Sequence, residues 1–399
     1  MTRLKTDILI SGGGIAGLTA AVAFGQAGFD VICVDPAPIV TTETDQDADL
    51  RTTAFLQPAQ GFLQKTGIWS HFADHAAPLQ IMRIVDAGGE TAEARGIADF
   101  DAADISDDPF GWNLPNWLLR RELLAILAGM PRVDLRTGVG SVDLLCRSNE
   151  ALVRLSDNSR ISARLVIGAD GRNSVIREKS GIGIQSWRYG QKALVCSVTH
   201  TRPHNNVSTE IHRSGGPFTL VPLPDLEGRP RSALVWMDKS EKTLPRVTAD
   251  IDTFNAEMTA RSSGLYGPLS LIGRRAAWPI IAQHADHLNA ERVALIAEAA
   301  HVVPPIGAQG LNMSLADLAA LLEQAEKHRE DLGSPEMLRA YETARLSDIR
   351  LRVRGIDVLN RASMAEGITL RDLRHAGLKI LHNIKPLRKS LMRKGLGVS

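Results

Sequence analysis

The sequence predicts an α/β protein, and three observations carry that expectation. The first is an amino-terminal strand–turn–helix–strand pattern, "TDILISGGGIAGLTAAVAFGQAGFDVICVDP" (6–36). The second is a pair of further strand–turn–helix segments, "ARLVIGADGRNSVIREKSG" (163–181) and "VALIAEAAHVVPPIGAQGLNMSLADLAALLEQAEK" (293–327). The third is a series of short β-type runs between them: "KALVCSVTH" (192–200), "VSTEIH" (207–212), "FTLVPL" (218–223) and "SALVWM" (232–237).

The 399 residues, 44% of them hydrophobic, allow two domains or one large composite one. A formal net charge of +1 gives no global field that would draw the chain to nucleic acid. Cys33, Cys146 and Cys196 are far apart, form no CxxC pair and lie in apolar runs. That favours reduced core thiols and a reducing compartment. No run approaches the length of a membrane-spanning helix, and a glycine-rich turn interrupts the first apolar run. The expectation is a cytoplasmic protein with no nucleic-acid partner and no metal site.

In the first segment "DILI" is a short strand, "GLTAAVAFGQAG" has helical composition, and "DVICVD" is a second strand. Gly12, Gly14 and Gly17 give the spacing GxGxxG, with Ile15 and Ala16 opening the helix. Gly12 suits a tight turn, Gly14 a close approach of backbone to pyrophosphate, and Gly17 close packing of helix on strand. Asp35, at the end of the second strand, can accept hydrogen bonds from a ribose. A Rossmann-like dinucleotide domain follows, and these residues alone suit FAD and NAD equally. In the second segment Asp170-Gly171 sits at the turn. In the third, Pro304 and Pro305 stiffen a loop in which Gly307 and Gly310 keep the backbone bare. Three phosphate-loop-like turns in one chain imply one extended ligand touched at several places.

Together "GGGIAG" (12–17), "GADGRNSVIR" (168–177) and "AEAAHVVPPIGAQGLNMSLAD" (297–317) resemble the flavin-dependent aromatic hydroxylases of the para-hydroxybenzoate hydroxylase type. The resemblance spans nearly the whole chain. Within the family, the helix "YETARLSDIRLRVRGIDVLNR" (341–361) and the ending "LRKSLMRKGLG" (387–397) are similar to the ubiquinone-biosynthesis branch. It implies a Rossmann-like FAD-binding domain in three pieces (1–75, 100–180 and 285–340). An inserted, mostly antiparallel β-sheet substrate domain (76–99 and 181–284) and a helical C-terminal region (341–399) complete it.

The implied cofactor is FAD, contacted by Gly12, Gly14, Ile15, Ala16, Gly17, Asp35, Arg51, Arg120, Asp170, Glu298, Gly307, Gly310, Leu311 and Asn312. The implied chemistry is ring hydroxylation of a polyprenyl phenol in ubiquinone biosynthesis, through a flavin C4a-hydroperoxide formed with O2. Pro304, Pro305 and Gln309 are expected to line the active site by position rather than by proton transfer. The only full GxGxxG is used for FAD, so NAD(P)H docks transiently or a reductase protein delivers electrons. Ala297-Glu298 departs from the family's Gly-Asp; the glutamate keeps the acceptor and reaches one methylene further. His301 reads as a structural residue of the turn. Two alternatives stay open: a soluble hydroxylase of a small aromatic acid, and a flavin-bound, non-catalytic scaffold subunit of a biosynthetic complex.

The tail 371–399 carries eight Lys or Arg against one acid, Asp372. Its basic and apolar faces suit peripheral association with the inner membrane, and equally a helix packed on the flavin domain. Pro386 is expected to break it.

Overall fold

The structure, a computed structural model, describes residues 4–87, 94–213, 215–364 and 385–396. Its first sheet is built on parallel strands in the order Val293–Leu295, Arg160–Gly168, Leu4–Ser11, Val31–Asp35, Val133–Thr137. A hairpin, Ser141–Arg147 and Glu150–Leu155, extends Arg160–Gly168 in antiparallel fashion. Ile8, Leu9, Ile10, Leu165, Val166 and Ile167 are fully buried, because a parallel sheet is covered on both faces. The helix Ile15–Gln26 lies on this sheet and is buried along its length from Ile15 to Gly25. It is therefore apolar all round rather than striped.

Glycine permits this packing. A Cβ on Gly17 would sit 1.8 Å from the Gly12 carbonyl oxygen. Gly12 itself has φ +115°, and its Cβ would meet the Ala169 carbonyl at 2.3 Å.

The second sheet runs His301–Val302, Leu269–Ala285, Ile184–His200, Arg229–Lys239, Gly216–Leu226, Val207–Arg213, Ile81–Asp86, Gly96–Asp101. Every pairing is antiparallel except Val207–Arg213 with Ile81–Asp86. The expected α/β class with a mostly antiparallel second sheet is thus observed. One face buries Leu194, Cys196, Val198, Leu220, Leu234 and Trp236 beneath Phe254 and Met258 of the helix Ile251–Arg261. The other face carries Ala193, Met237 and Ile280, against which Ile306 packs. A small third sheet joins Thr52–Leu56, Gly111–Pro115 and Ala77–Leu79.

The long helix Pro335–Met364 follows. Tyr341 on it is fully buried and donates its hydroxyl to the Leu295 carbonyl at 2.7 Å, fixing the helix to the edge of the first sheet. Of the tail, residues 365–384 and 397–399 lie outside the described residues. Lys385–Leu396 is helical. Pro386 stands in its first turn, where a missing N–H costs nothing. Met392 is buried with Leu56, Ala102 and Phe110, and Arg388 pairs with Asp104 at 2.7 Å. No described helix is long and apolar enough to cross a membrane. Cys33, Cys146 and Cys196 are free thiols, and burial raises the first and last to about 12.

Gly17→Ala is expected to cost about 3 kcal/mol or more, because the helix must lift off the Gly12 carbonyl. Chemical denaturation of the two proteins checks this.

Candidate cofactor site at the sheet edge

Strand pairing brings the three motif turns to one place. Ser11 pairs with Gly168, and Gly168 with Leu295, at the carboxyl ends of neighbouring parallel strands. The N–H of Ala169 donates to the Ser11 carbonyl at 2.8 Å, and that of Ile296 to the Gly168 carbonyl at 3.0 Å. Open α/β sheets bind ligands at this end of their strands. Arg177, only 6% exposed, ties the second turn to the third. Its Nη1 donates to the Ala299 carbonyl and its Nη2 to the Arg172 carbonyl, each at 2.9 Å. Burial lowers its pKa, while Asp170 and Glu178 oppose that shift.

At the first turn, Gly14 caps the helix with φ −68°, and no side chain caps the helix N–H groups. A Cβ on Gly14 would find open space. Ile15 and Ala16 begin the helix, each 8% exposed. Asp35 Oδ2 accepts from the Gly13 N–H at 2.6 Å, and Oδ1 from the Ala37 N–H at 2.9 Å. Its carboxylate therefore braces the glycine turn from below. Asp170 is turned inward. It accepts from the Ser174 hydroxyl and, at 3.1 Å, from the Ile176 N–H. Burial raises its pKa against those hydrogen bonds.

The third turn is bracketed by two alanines in the left-handed region, Ala297 and Ala308, both at φ 55°. Between them Pro304 is buried, Pro305 is exposed and Gly307 has φ 64°. The helix Gln309–Lys327 starts without a side-chain cap, so the N–H groups of its first turn lack intrahelical partners. Gly310 and Leu311 belong to that turn, and a Cβ on Gly310 would meet nothing. The Asn312 side chain looks elsewhere. It accepts from the Leu56 N–H at 2.9 Å and donates to the carbonyls of Ala54 and Ala308, at 2.7 and 2.6 Å. Asn312 thus rivets the strand Thr52–Leu56 to the helix start. Gln309 donates to the Gly307 carbonyl at 2.9 Å and accepts from Arg352 at 2.8 Å.

Arg51 lies beside the third turn. It forms a two-pronged pair with Asp49, at 2.9 and 2.8 Å, and stands 3.8 Å from Glu298. Its guanidinium also lies 4.8 Å from the ring centre of Trp278. Burial alone would raise Asp49; Arg51, with Asn116 donating at 2.9 Å, instead holds it below the usual carboxylate range. Burial likewise works against the Arg51 charge, and Asp49 more than offsets it. Glu298 is half exposed on its helical turn and faces Arg51. Arg120, on the helix Asn116–Ala128, has a buried Nε with no hydrogen-bond partner among the described residues.

Asp49, Asn116, Arg177 and Trp278 were not legible as site residues. Asn116, Arg177 and Trp278 act through partners far away in sequence, so no local spacing marks them, and Asp49 pairs with Arg51 two residues on without forming a recognised motif. His301 is 2% exposed and donates its Nε2–H to Asp317 at 2.6 Å.

A family model described as an FAD binding domain matches residues 5–356. The chain belongs to this FAD-binding family, that of the flavin-dependent hydroxylases. It is 31% identical to the ubiquinone hydroxylase UbiL of Rhodospirillum rubrum, over 98% of this chain and 89% of that one. It is 28% identical to the 3-demethoxyubiquinol 3-hydroxylase of Escherichia coli, over all of both chains. Among solved structures, p-nitrophenol 4-monooxygenase PnpA from Pseudomonas putida superposes with a TM-score of 0.81 at 16% identity, covering 100% of this chain and 99% of that one. At that identity the likeness speaks for the fold alone.

The residues present fit FAD. Two uncapped helix starts offer N–H groups, Gly14 leaves room where a Cβ would stand, and Arg120 keeps a buried donor unspent.

Ala297 occupies a conformation that costs an alanine roughly 1–2 kcal/mol. Ala297→Gly should therefore raise stability by about 1 kcal/mol once the greater freedom of glycine in the unfolded chain is counted. A higher denaturation midpoint with an unchanged slope is the expected result.

Proposed function

We propose that the protein is an FAD-dependent monooxygenase that hydroxylates the aromatic ring of a polyprenyl phenol in ubiquinone biosynthesis. The observation that carries this is the 31% identity with a ubiquinone hydroxylase over 98% of the chain. Its support in the site is the joining of all three motif turns at one sheet edge. On this reading the first sheet belongs to the flavin domain and the second to the substrate domain. Peripheral contact with the inner membrane, and membership of a biosynthetic complex, accompany a lipid substrate.

Bound FAD supplies the oxygen-activating chemistry, with O2 as co-substrate and NAD(P)H or a reductase protein as electron donor. The protein's share is binding, orientation and exclusion of water. Gly12, Gly14 and Gly17 let the first helix start receive the pyrophosphate, with Ile15 and Ala16 supplying its first N–H groups. Asp35 meets the adenosine ribose. Arg120 supplies a donor, and the turn at Asp170 approaches through its backbone. Glu298, opposite Arg51, takes the ribityl hydroxyls. Gly307 and Gly310 admit the flavin ring, and the N–H groups near Leu311 and Asn312 favour negative charge on its pyrimidine edge. Pro304, Pro305 and Gln309 border the reacting edge. The apolar face of the second sheet around Ile306 keeps water from the ring that is hydroxylated.

Gly14→Val should fold normally, because its Cβ meets nothing, and yet fail to bind FAD. Glu298→Asp should bind FAD within about tenfold, or ~1.4 kcal/mol, of the parent. Fluorescence titration of the stripped proteins reads both.

Disruption of the gene should stop ubiquinone synthesis and accumulate a polyprenyl phenol lacking one ring hydroxyl. Purified protein with FAD and a reductant should add one oxygen atom to that phenol. Normal quinone levels in a disrupted strain without a second hydroxylase would overturn the substrate assignment.

A further inference from the structure

The loop between His301 and Gln309 is closed from behind by a ring of charged side chains. His301 donates to Asp317 Oδ2 at 2.6 Å. Asp317 Oδ1 accepts from Arg345 Nε at 2.9 Å. Arg345 Nη1 donates to Asp348 Oδ2 at 2.9 Å, and Asp348 Oδ1 accepts from Arg352 Nε at 2.9 Å. Arg352 Nη1 then donates to Gln309 Oε1 at 2.8 Å, and Gln309 Nε2 to the Gly307 carbonyl at 2.9 Å. The ring thus starts at the residue that enters the loop and ends at the residue that leaves it. Asp317 is fully buried, and Arg345 is 8% exposed. In so little water the Asp317–Arg345 bond is strong and directional, while the Asp348 and Arg352 side chains, 33% and 29% exposed, carry the chain of bonds outward to Gln309.

Backbone preference works against part of the loop's shape. Gly307 and Ala308 are both left-handed, and for the alanine that is unfavourable. The helix beginning at Gln309 has no side-chain cap. Asn312, bound to Leu56 and Ala54, anchors the far side of the helix start, and the near side at Gln309 is held separately. Gln309, gripped by Arg352, sits at that corner.

We propose that Arg352 is a positioning residue for the flavin: through Gln309 and Asp348 it sets the aim of the helix start at 309–312. This rests on the FAD reading given above. Loosening the ring leaves the flavin bound but lets the N–H groups swing away, so negative charge on its pyrimidine edge is less well supported.

Sulfite is a suitable probe. Its sulfur lone pair adds to oxidised flavin N5, the adduct bears negative charge on the pyrimidine ring, and no other reactant is consumed. Arg352→Ala should lower sulfite affinity roughly two- to fivefold, the size of a helix-end charge effect. Amide hydrogen exchange at 307–312, measured without flavin, should quicken while the rest of the chain is unchanged. Arg352→Lys, which keeps the charge and one donor to Gln309, should recover part of both. If Arg352→Ala does not hold flavin, Asp348→Asn provides the same comparison, because it removes one acceptor from the ring and keeps its shape. A purely structural role predicts a lower melting temperature with parental sulfite affinity, and that result in the flavin-bound variant overturns the proposal whatever the exchange shows. Failure of the parent protein to take up FAD would overturn the flavin reading instead.

Discussion

Everything at this site depends on the parallel pairing that joins Ser11, Gly168 and Leu295. None of the three turns could hold an extended ligand alone. Each offers a short run of backbone donors, and they become one surface only because their strands end at the same level. The register also dictates composition. A strand end that must sit flush against two neighbours has little room, and a Cβ at Gly168 would meet Leu295 at 2.8 Å and Ile176 at 3.1 Å. The glycines of the site serve the sheet as much as the ligand.

Around that edge the chain uses buried charge to fix what backbone pairing leaves loose. Arg177 crosses from the second turn to the third. Asp49 and Asn116 hold Arg51 beside Glu298. Buried ion pairs add little net stability compared with apolar packing, but breaking one side of a pair is costly. Such bonds therefore specify one arrangement.

Much of this was legible in the sequence. The glycine spacing and Asp35 announced the first strand–turn–helix, because glycine without a Cβ is the only residue that fits where a helix meets a turn so closely. The β-type runs from 192 to 237 appear as strands of the second sheet. Other features were hidden. Asn312 reads locally as part of a cofactor loop through its backbone, and nothing local shows that its side chain binds Ala54 and Leu56, more than 250 residues earlier. Trp278 has no motif at all; tertiary contact alone brings it to Arg51. Sequence spacing reports what neighbours along the chain can do, and these residues act on distant parts.

The three central strands also impose an order on biosynthesis. Leu4–Ser11 is made first, Arg160–Gly168 much later, and Val293–Leu295 later still. Until the last of these leaves the ribosome, the Val166–Gly168 end of the second strand has no partner on that side, and the third turn does not exist. Long-range parallel pairing of this kind is slow, and an unpaired edge invites association with other chains. A nascent chain must therefore keep an unfinished apolar edge out of trouble while residues 169–292 are made, and cofactor capture comes late in translation.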